Sequence, residues 1–261
     1  MSEVILEAKD ICKYFGGLKA VEKVNMQVEK KDIFGIIGPN GAGKTTFFNV
    51  CSGIYKPTSG DILFKGESLI SLKPEEIAKK GVARTFQNIQ LFRNMSVLEN
   101  VKIGFHNRTK SGIFDAIMHN KQYQMDEEMV ISEGIAILKK VGLHEYRDTL
   151  AGNLAYGVQR RVEIARALAL NPEIILLDEP AAGMNPIETN SLMTFIQELN
   201  REGYTIVVIE HDMKFIMSMA HKVLVLNFGQ KISEGTPEQV QRDEDVIVAY
   251  FGKGLNVGGG H

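Results

Sequence analysis

Three stretches of this chain predict an α/β fold built on a mostly parallel sheet. The first is Ile33-Phe34-Gly35-Ile36-Ile37, an apolar run that leads straight into a glycine-rich segment. The second and third are Ile174-Ile175-Leu176-Leu177 and Tyr204-Thr205-Ile206-Val207-Val208-Ile209. Continuous apolar or β-branched runs of this length suit strands covered on both faces, as in a parallel sheet.

The elements follow in order. Val4 to Ala8 and Val21 to Val28 read as strands, and Asp61-Ile62-Leu63-Phe64-Lys65-Gly66 alternates like a half-exposed strand ending in a turn. Together they predict an N-terminal antiparallel β-subdomain beside the parallel core. From about Pro74 to Arg161 strand signals fade, helical patterns take over, and a charged stretch runs from Lys121 to Glu133. This predicts a helical subdomain, at about residues 88–161, inserted into the α/β core. Its polar middle, His106 to Met125, carries little pattern. From Asn171 strands and helices alternate again, and Val223 to Leu226 with Lys231 to Glu234, around Gly229, predict a late hairpin. Residues 252–261 are glycine-rich and expected to fray. No internal repeat is visible, so residues 1–251 are expected to form a single domain.

The segment Gly38-Pro39-Asn40-Gly41-Ala42-Gly43-Lys44-Thr45-Thr46 fits the phosphate-loop pattern G-x-x-x-x-G-K-[S/T]. It has a strand before it and a helical stretch, Thr45 to Cys51, after it. Glycines let the backbone curl so that successive N–H groups face an anion, and the helix start adds a positive field. Lys44 is placed to reach the β- and γ-phosphates, and Thr45 to put its hydroxyl on Mg²⁺. An ordinary glycine-rich turn is the bland alternative, and the flanking elements count against it. The chain is expected to bind a nucleoside triphosphate.

Asp178-Glu179-Pro180 ends the run that begins at Ile174. Carboxylates at the end of a buried strand are the usual second half of a phosphate-loop site. Because side chains alternate along a strand, Asp178 and Glu179 point different ways. Asp178 is assigned to the metal, through water, and Glu179 to activating or orienting the attacking water.

Composition excludes several classes. The 261 residues carry a formal net charge of −2, so no global field favours nucleic acid. The two cysteines, Cys12 and Cys51, have no metal-ligand spacing. No apolar run is long enough to span a membrane, and the start lacks a signal-peptide pattern. A cytosolic chain is expected, held by a partner if it works at a membrane.

Leu154-Ala155-Tyr156-Gly157-Val158-Gln159-Arg160-Arg161 opens a helix whose apolar residues Val158, Val162, Ala165 and Ala169 keep helical spacing. This segment resembles the signature of ATP-binding cassette proteins, usually L-S-G-G-Q. The resemblance extends over roughly residues 4 to 251 and implies a RecA-like P-loop NTPase core. It implies that Phe15, or failing that Tyr14, stacks on adenine, and that Gln87 in Arg84-Thr85-Phe86-Gln87 lies near Mg²⁺ and the attacking water. It implies that His211 contacts the γ-phosphate, and that Ala182-Gly183-Met184-Asn185 crosses between paired cassettes. Taken singly, Phe15, Gln87 and His211 would read as a core aromatic, a loop glutamine and a surface histidine. Their order and spacing raise them.

The signature departs from the usual one. Ala155 stands where most cassettes have Ser, Val158 where they have Gln, and Asn185 replaces a common Asp. Backbone N–H groups of Tyr156 and Gly157 remain to meet the phosphate of a partner's ATP. Leu154 to Gly157, Arg84 to Phe92, Asp178 to Pro186, Gly235 to Val240 and Asp245 to Gly252 resemble the ATPase subunits of branched-chain amino acid importers. The resemblance implies an ATP-hydrolysing subunit with Mg²⁺ and a second ATPase subunit, identical or different. It also implies membrane permease subunits, an external solute-binding protein, and a place on the cytoplasmic face of the plasma membrane. An ATPase of a lipid or lipopolysaccharide exporter, a soluble cassette acting on DNA or ribosomes, and a non-hydrolysing regulator are the other readings. Glu179 counts against the last of these.

Overall fold

The computed structural model describes residues 3–108 and 121–251. The chain divides into two compact units. One holds Met1–Ile77, Leu177–Pro180 and Ile196–His261; the other holds Ala78–Leu176 and Ala181–Phe195.

In the first unit, β1 (Val4–Phe15) pairs antiparallel with β2 (Leu18–Glu29) on one side and with β4 (Ser59–Phe64) on the other, and β4 continues to β5 (Glu67–Ser68). These are the expected N-terminal strands, but β1 runs seven residues past Ala8. Register shifts between Ala8 and Ile11, and positive φ at Asp10 (47°) and Lys23 (49°), break the two-residue alternation. A strand that bulges loses the period by which a sequence announces it.

The parallel part of this unit is built around β3 (Ile33–Ile37), buried at every position. It pairs in parallel with β8 (Thr205–Ile209) on one edge and β9 (Lys222–Asn227) on the other. β10 (Gln230–Gly235) closes the expected hairpin against β9. Every residue of β8 is buried as well, which accounts for the unbroken apolar runs. Around the strands lie α1 (Lys44–Cys51), the first part of α2 (Pro74–Lys80), the short α7 (Met213–Met217), α8 (Pro237–Arg242) and α9 (Glu244–Phe251). Asp212 caps α7 by accepting from Lys214 N–H at 2.8 Å.

The second unit is mainly helical: α3 (Val97–Ile103), α4 (Lys121–Lys140), α5 (Tyr156–Leu168) and the first part of α6 (Pro186–Arg201). Its core gathers Val97, Val101, Phe105, Leu138, Val162 and Ile164, all at most 2% exposed. It also contains a strand that the expected all-helical stretch lacks. β6 (Val82–Arg84) pairs in parallel with residues Ile174 to Leu176 of β7 (Ile174–Asp178). Three residues are too few for any periodicity to register. A capping box starts α3: Ser96 Oγ accepts from Glu99 N–H at 3.2 Å, and Glu99 Oε2 accepts from Ser96 N–H at 2.7 Å.

Residues 109–120 of the segment with little pattern, and the glycine-rich 252–261, lie outside the described residues. Among the described residues no helix is long and apolar enough to cross a membrane.

Candidate functional site

The phosphate loop lies where β3 hands over to α1, and two glycines make its path possible. A Cβ on Gly38 would sit 2.1 Å from the Leu226 carbonyl oxygen. Gly43, at φ 95°, caps α1, and a Cβ there would sit 2.3 Å from the Ala20 carbonyl oxygen. The loop is thus pressed against the main chain of β2 and β9, with room for no side chain at either point. Gly229 N–H donates to Ala42 O at 3.0 Å, tying the loop to the β9–β10 hairpin. Asn40 and Gly41 are exposed at the tip.

Lys44 is only 6% exposed, and its ammonium folds back on the loop, donating to Gly38 O at 2.7 Å and Pro39 O at 3.1 Å. Burial pushes its pKa below the ordinary lysine value, and the carboxylates of Glu179 and Glu210 act against that push. A buried cation beside a curled row of N–H groups suits a polyanion. Thr45 and Thr46 follow in the first turn of α1, where no side chain caps the free N–H groups.

Asp178 is the last residue of β7 and is 3% exposed. Glu179 leaves the strand at φ 43°, a left-handed conformation for a non-glycine residue, and its N–H donates to Ile209 O at 3.0 Å. Glu179 thus stands outside the strand that Asp178 ends, so strand alternation does not fix where its carboxylate points, and the end of β8 holds the turn.

Directly after β8 come Glu210, fully buried, and His211, with 57% of its side chain exposed. His211 Nδ1 lies 3.5 Å from Glu210 Oε2, and His211 N–H points to the same oxygen at 3.3 Å. Sequence reasoning missed Glu210; the signal was an acid directly after the apolar run Ile206 to Ile209. It also missed Tyr55. Phe15, 43% exposed, meets Tyr55 edge-on with centroids 5.4 Å apart, and Lys13 Nζ lies 5.0 Å from the Phe15 ring centre. In α9, burial pushes the Tyr250 phenol up to about 12, with the Gly38 main chain acting the other way.

The first unit therefore brings together the phosphate loop, Lys44, Asp178, Glu179 and His211. Gln87, Ala155, Tyr156 and Gly157 belong to the second unit. There Gln87 is exposed in the loop after β6. Ala155 is the N-cap of α5 and its side chain caps nothing. Val158 and Gln159 N–H both donate to Ala155 O at 3.0 Å, which leaves the N–H groups of Tyr156 and Gly157 without a helical acceptor. Gly157 is open: a Cβ there would come no nearer than 3.5 Å to Glu188. Asn185 caps α6, its Oδ1 accepting from Ile187 N–H at 2.9 Å and Glu188 N–H at 3.0 Å. An Asp would accept the same two bonds, so the replacement costs this helix start nothing.

The sequence model described as "ABC transporter" fits residues 21–182, and one described as "Branched-chain amino acid ATP-binding cassette transporter" fits residues 230–255. The chain is 44% identical, over 97% of its length and 100% of the relative's, to the high-affinity branched-chain amino acid transport ATP-binding protein LivG of Escherichia coli K12. The figures are the same for BraF of Pseudomonas aeruginosa. Among solved structures, a nucleotide-free ATP-binding cassette from an ABC transporter superposes with a TM-score of 0.83 at 33% identity, covering 96% of this chain and 100% of that one. A dimeric cassette bound to ADP and Pi gives 0.73 at 26% identity, covering 89% and 99%. A family match running from Val21 to Ala182, with relatives aligned end to end, means that this chain belongs to the ABC transporter family and is one of its ATP-hydrolysing cassettes.

Proposed function

We propose that this chain is the ATPase subunit of an importer for branched-chain or similar amino acids, working as one cassette over residues 1–251 on the cytoplasmic face of the plasma membrane. The observation that carries this reading is the end-to-end similarity to LivG and BraF, reinforced by the separate match of residues 230–255. Its partners are a second ATPase subunit, identical or different, and membrane permease subunits served by an external solute-binding protein.

ATP is the substrate. The loop N–H groups and Lys44 hold its phosphates, and Phe15 stacks on the adenine with Tyr55 fixing the ring's edge. The site suits Mg²⁺: the Thr45 hydroxyl and the buried Asp178 carboxylate are the hard oxygen donors that this ion takes, and they would hold it. Bound there, the ion would neutralise charge on the phosphates. Glu179 takes the proton of the attacking water, and His211, steadied by Glu210, contacts the γ-phosphate. Gln87 helps to set that water. The free N–H groups of Tyr156 and Gly157 meet an ATP held by the partner cassette, so one subunit alone has half of each site.

Hydrolysis removes the bridge that ATP makes between the two cassettes, and the pair opens. The test is reconstitution with the co-purified permease in vesicles. ATP-driven uptake of leucine, lost in Glu179→Gln, is the expected result. ATP-dependent transport of a lipid with no amino-acid uptake would refute the substrate assignment.

A further inference from the structure

The helix that begins at Tyr156 holds the loop that carries Gln87 by its main chain. Arg160 is fully buried, and its guanidinium makes three short bonds. Nη1 donates to Phe86 O at 2.6 Å and to Glu163 Oε2 at 2.6 Å, and Nη2 donates to Gln87 O at 2.6 Å. Glu163, 1% exposed, uses its other oxygen to accept from Gln90 N–H at 3.4 Å. One turn on, Arg166 Nη1 donates to Gln90 O. From α3, Asn100, fully buried, accepts from Phe92 N–H at 2.9 Å and donates to Phe92 O at 3.1 Å. The main chain of residues 86–92 is thus gripped at Phe86, Gln87, Gln90 and Phe92, while the rings of Phe86 and Phe92 stay 43% and 55% exposed.

A buried ion pair is weak support for stability alone, because desolvation offsets the attraction. Here the pair does something else: it turns two carbonyls of an irregular loop toward a helix. Arginine suits this because its donors form a rigid planar fork that spans two carbonyls and a carboxylate at once; an ammonium is a single point. The grip also has a direction. Arg160 lies one helical turn from Tyr156, whose N–H faces the open helix start.

We propose that Arg160, with Glu163 as its buried counter-ion, is a positioning residue that sets Gln87 and makes the loop and the start of the helix move as one body. The catalytic consequence rests on the reading of Gln87 given above. A phosphate that docks on the helix start then draws the Gln87 loop with it, and anything that displaces the exposed Phe86 and Phe92 shifts the helix start in return.

The test compares Arg160→Lys with the double variant Arg160→Met/Glu163→Met in the full chain, with Gln87→Ala as reference. The double variant removes both members of the pair, with only the partly exposed Arg166 losing a neighbouring acid at 4.0 Å, so it covers the case in which Arg160→Lys fails to fold. Hydrogen exchange of residues 84–92 is read alongside steady-state ATPase kinetics per folded molecule. The expected result is exchange at Gln90 faster by about tenfold or more, with the core strands unchanged. With it, kcat falls by about tenfold while KM for ATP changes by less than about twofold. Unchanged exchange across residues 84–92 in a folded variant overturns the proposal, and so does faster exchange with kcat intact where Gln87→Ala lowers it. If Gln87→Ala itself leaves kcat untouched, the catalytic reading of Gln87 fails, and exchange alone then decides whether Arg160 holds the loop.

Discussion

Replacing Lys44 with methionine asks how much of ATP binding one buried cation carries. Methionine is an unbranched side chain one heavy atom shorter and keeps much of the volume, so the loop keeps most of its filling. What is lost is an ammonium 6% exposed, placed at 2.7 Å and 3.1 Å from the Gly38 and Pro39 carbonyls and close to where the phosphates are expected. Two effects oppose each other. The substitution relieves the desolvation that already depresses the lysine pKa, which favours the free protein. It also removes a positive charge that interacts with Glu179 and Glu210, so the field at the loop becomes more negative against an incoming polyanion. Charge-assisted hydrogen bonds are worth about 1.5–3 kcal/mol. A net loss of about 2–3 kcal/mol corresponds to roughly a 30- to 150-fold weaker Kd for MgATP. Titration with a fluorescent ATP analogue reads this directly, and the melting temperature of the free protein checks that the fold persists. A Kd within about twofold of the parent, in a folded protein, would mean that the ammonium does not touch the phosphates, and the reasoning from its burial would fail.

Three other outcomes are expected. Glu179→Gln should retain ATP binding, lower kcat by about 10² or more, and accumulate a nucleotide-bound pair visible by light scattering; normal turnover would remove Glu179 from the chemistry. Gly157→Ala should be tolerated in the free chain, since the nearest atom to a Cβ is 3.5 Å away, whereas Gly157→Asp should bind ATP as the parent does but fail to pair or hydrolyse, because it adds a negative charge where a partner's phosphate arrives. Phe15→Ala should weaken ATP by about 1 kcal/mol, roughly fivefold, and weaken inorganic triphosphate not at all, because only the base stacks; equal losses for both would show that the aromatic pair serves the fold instead.

The fold was most legible where local pattern and chemistry coincide. β3 and the loop after it have the expected bounds because an unbroken apolar run meets glycines that only one backbone path explains. The bulged β1 and the three-residue β6 were not legible at full length, because one loses its period and the other never has one. The site divides similarly. Lys44, Asp178 and Glu179 announce themselves by position relative to strands. Tyr55 and Arg160 do not, since each owes its place to a partner remote in sequence: Phe15 for one, the carbonyls of Phe86 and Gln87 for the other. Arg160 and Glu163 are spaced as helical neighbours, but nothing local tells such a pair from a solvated one.

The left-handed backbone at Glu179 sets what selection for sturdiness would do to this protein. A non-glycine residue at φ 43° carries a cost of about 1–2 kcal/mol that glycine avoids. Glycine at that position would lose the carboxylate and gain a relaxed turn. A library screened for heat resistance alone should therefore enrich Glu179→Gly, and its sturdiest members there would be unable to turn over ATP. A library screened for growth on the transported solute should keep the acid and accept the lower melting temperature. The difference between those two populations at a single codon would measure, in fitness, how much backbone discomfort the chemistry makes worth keeping.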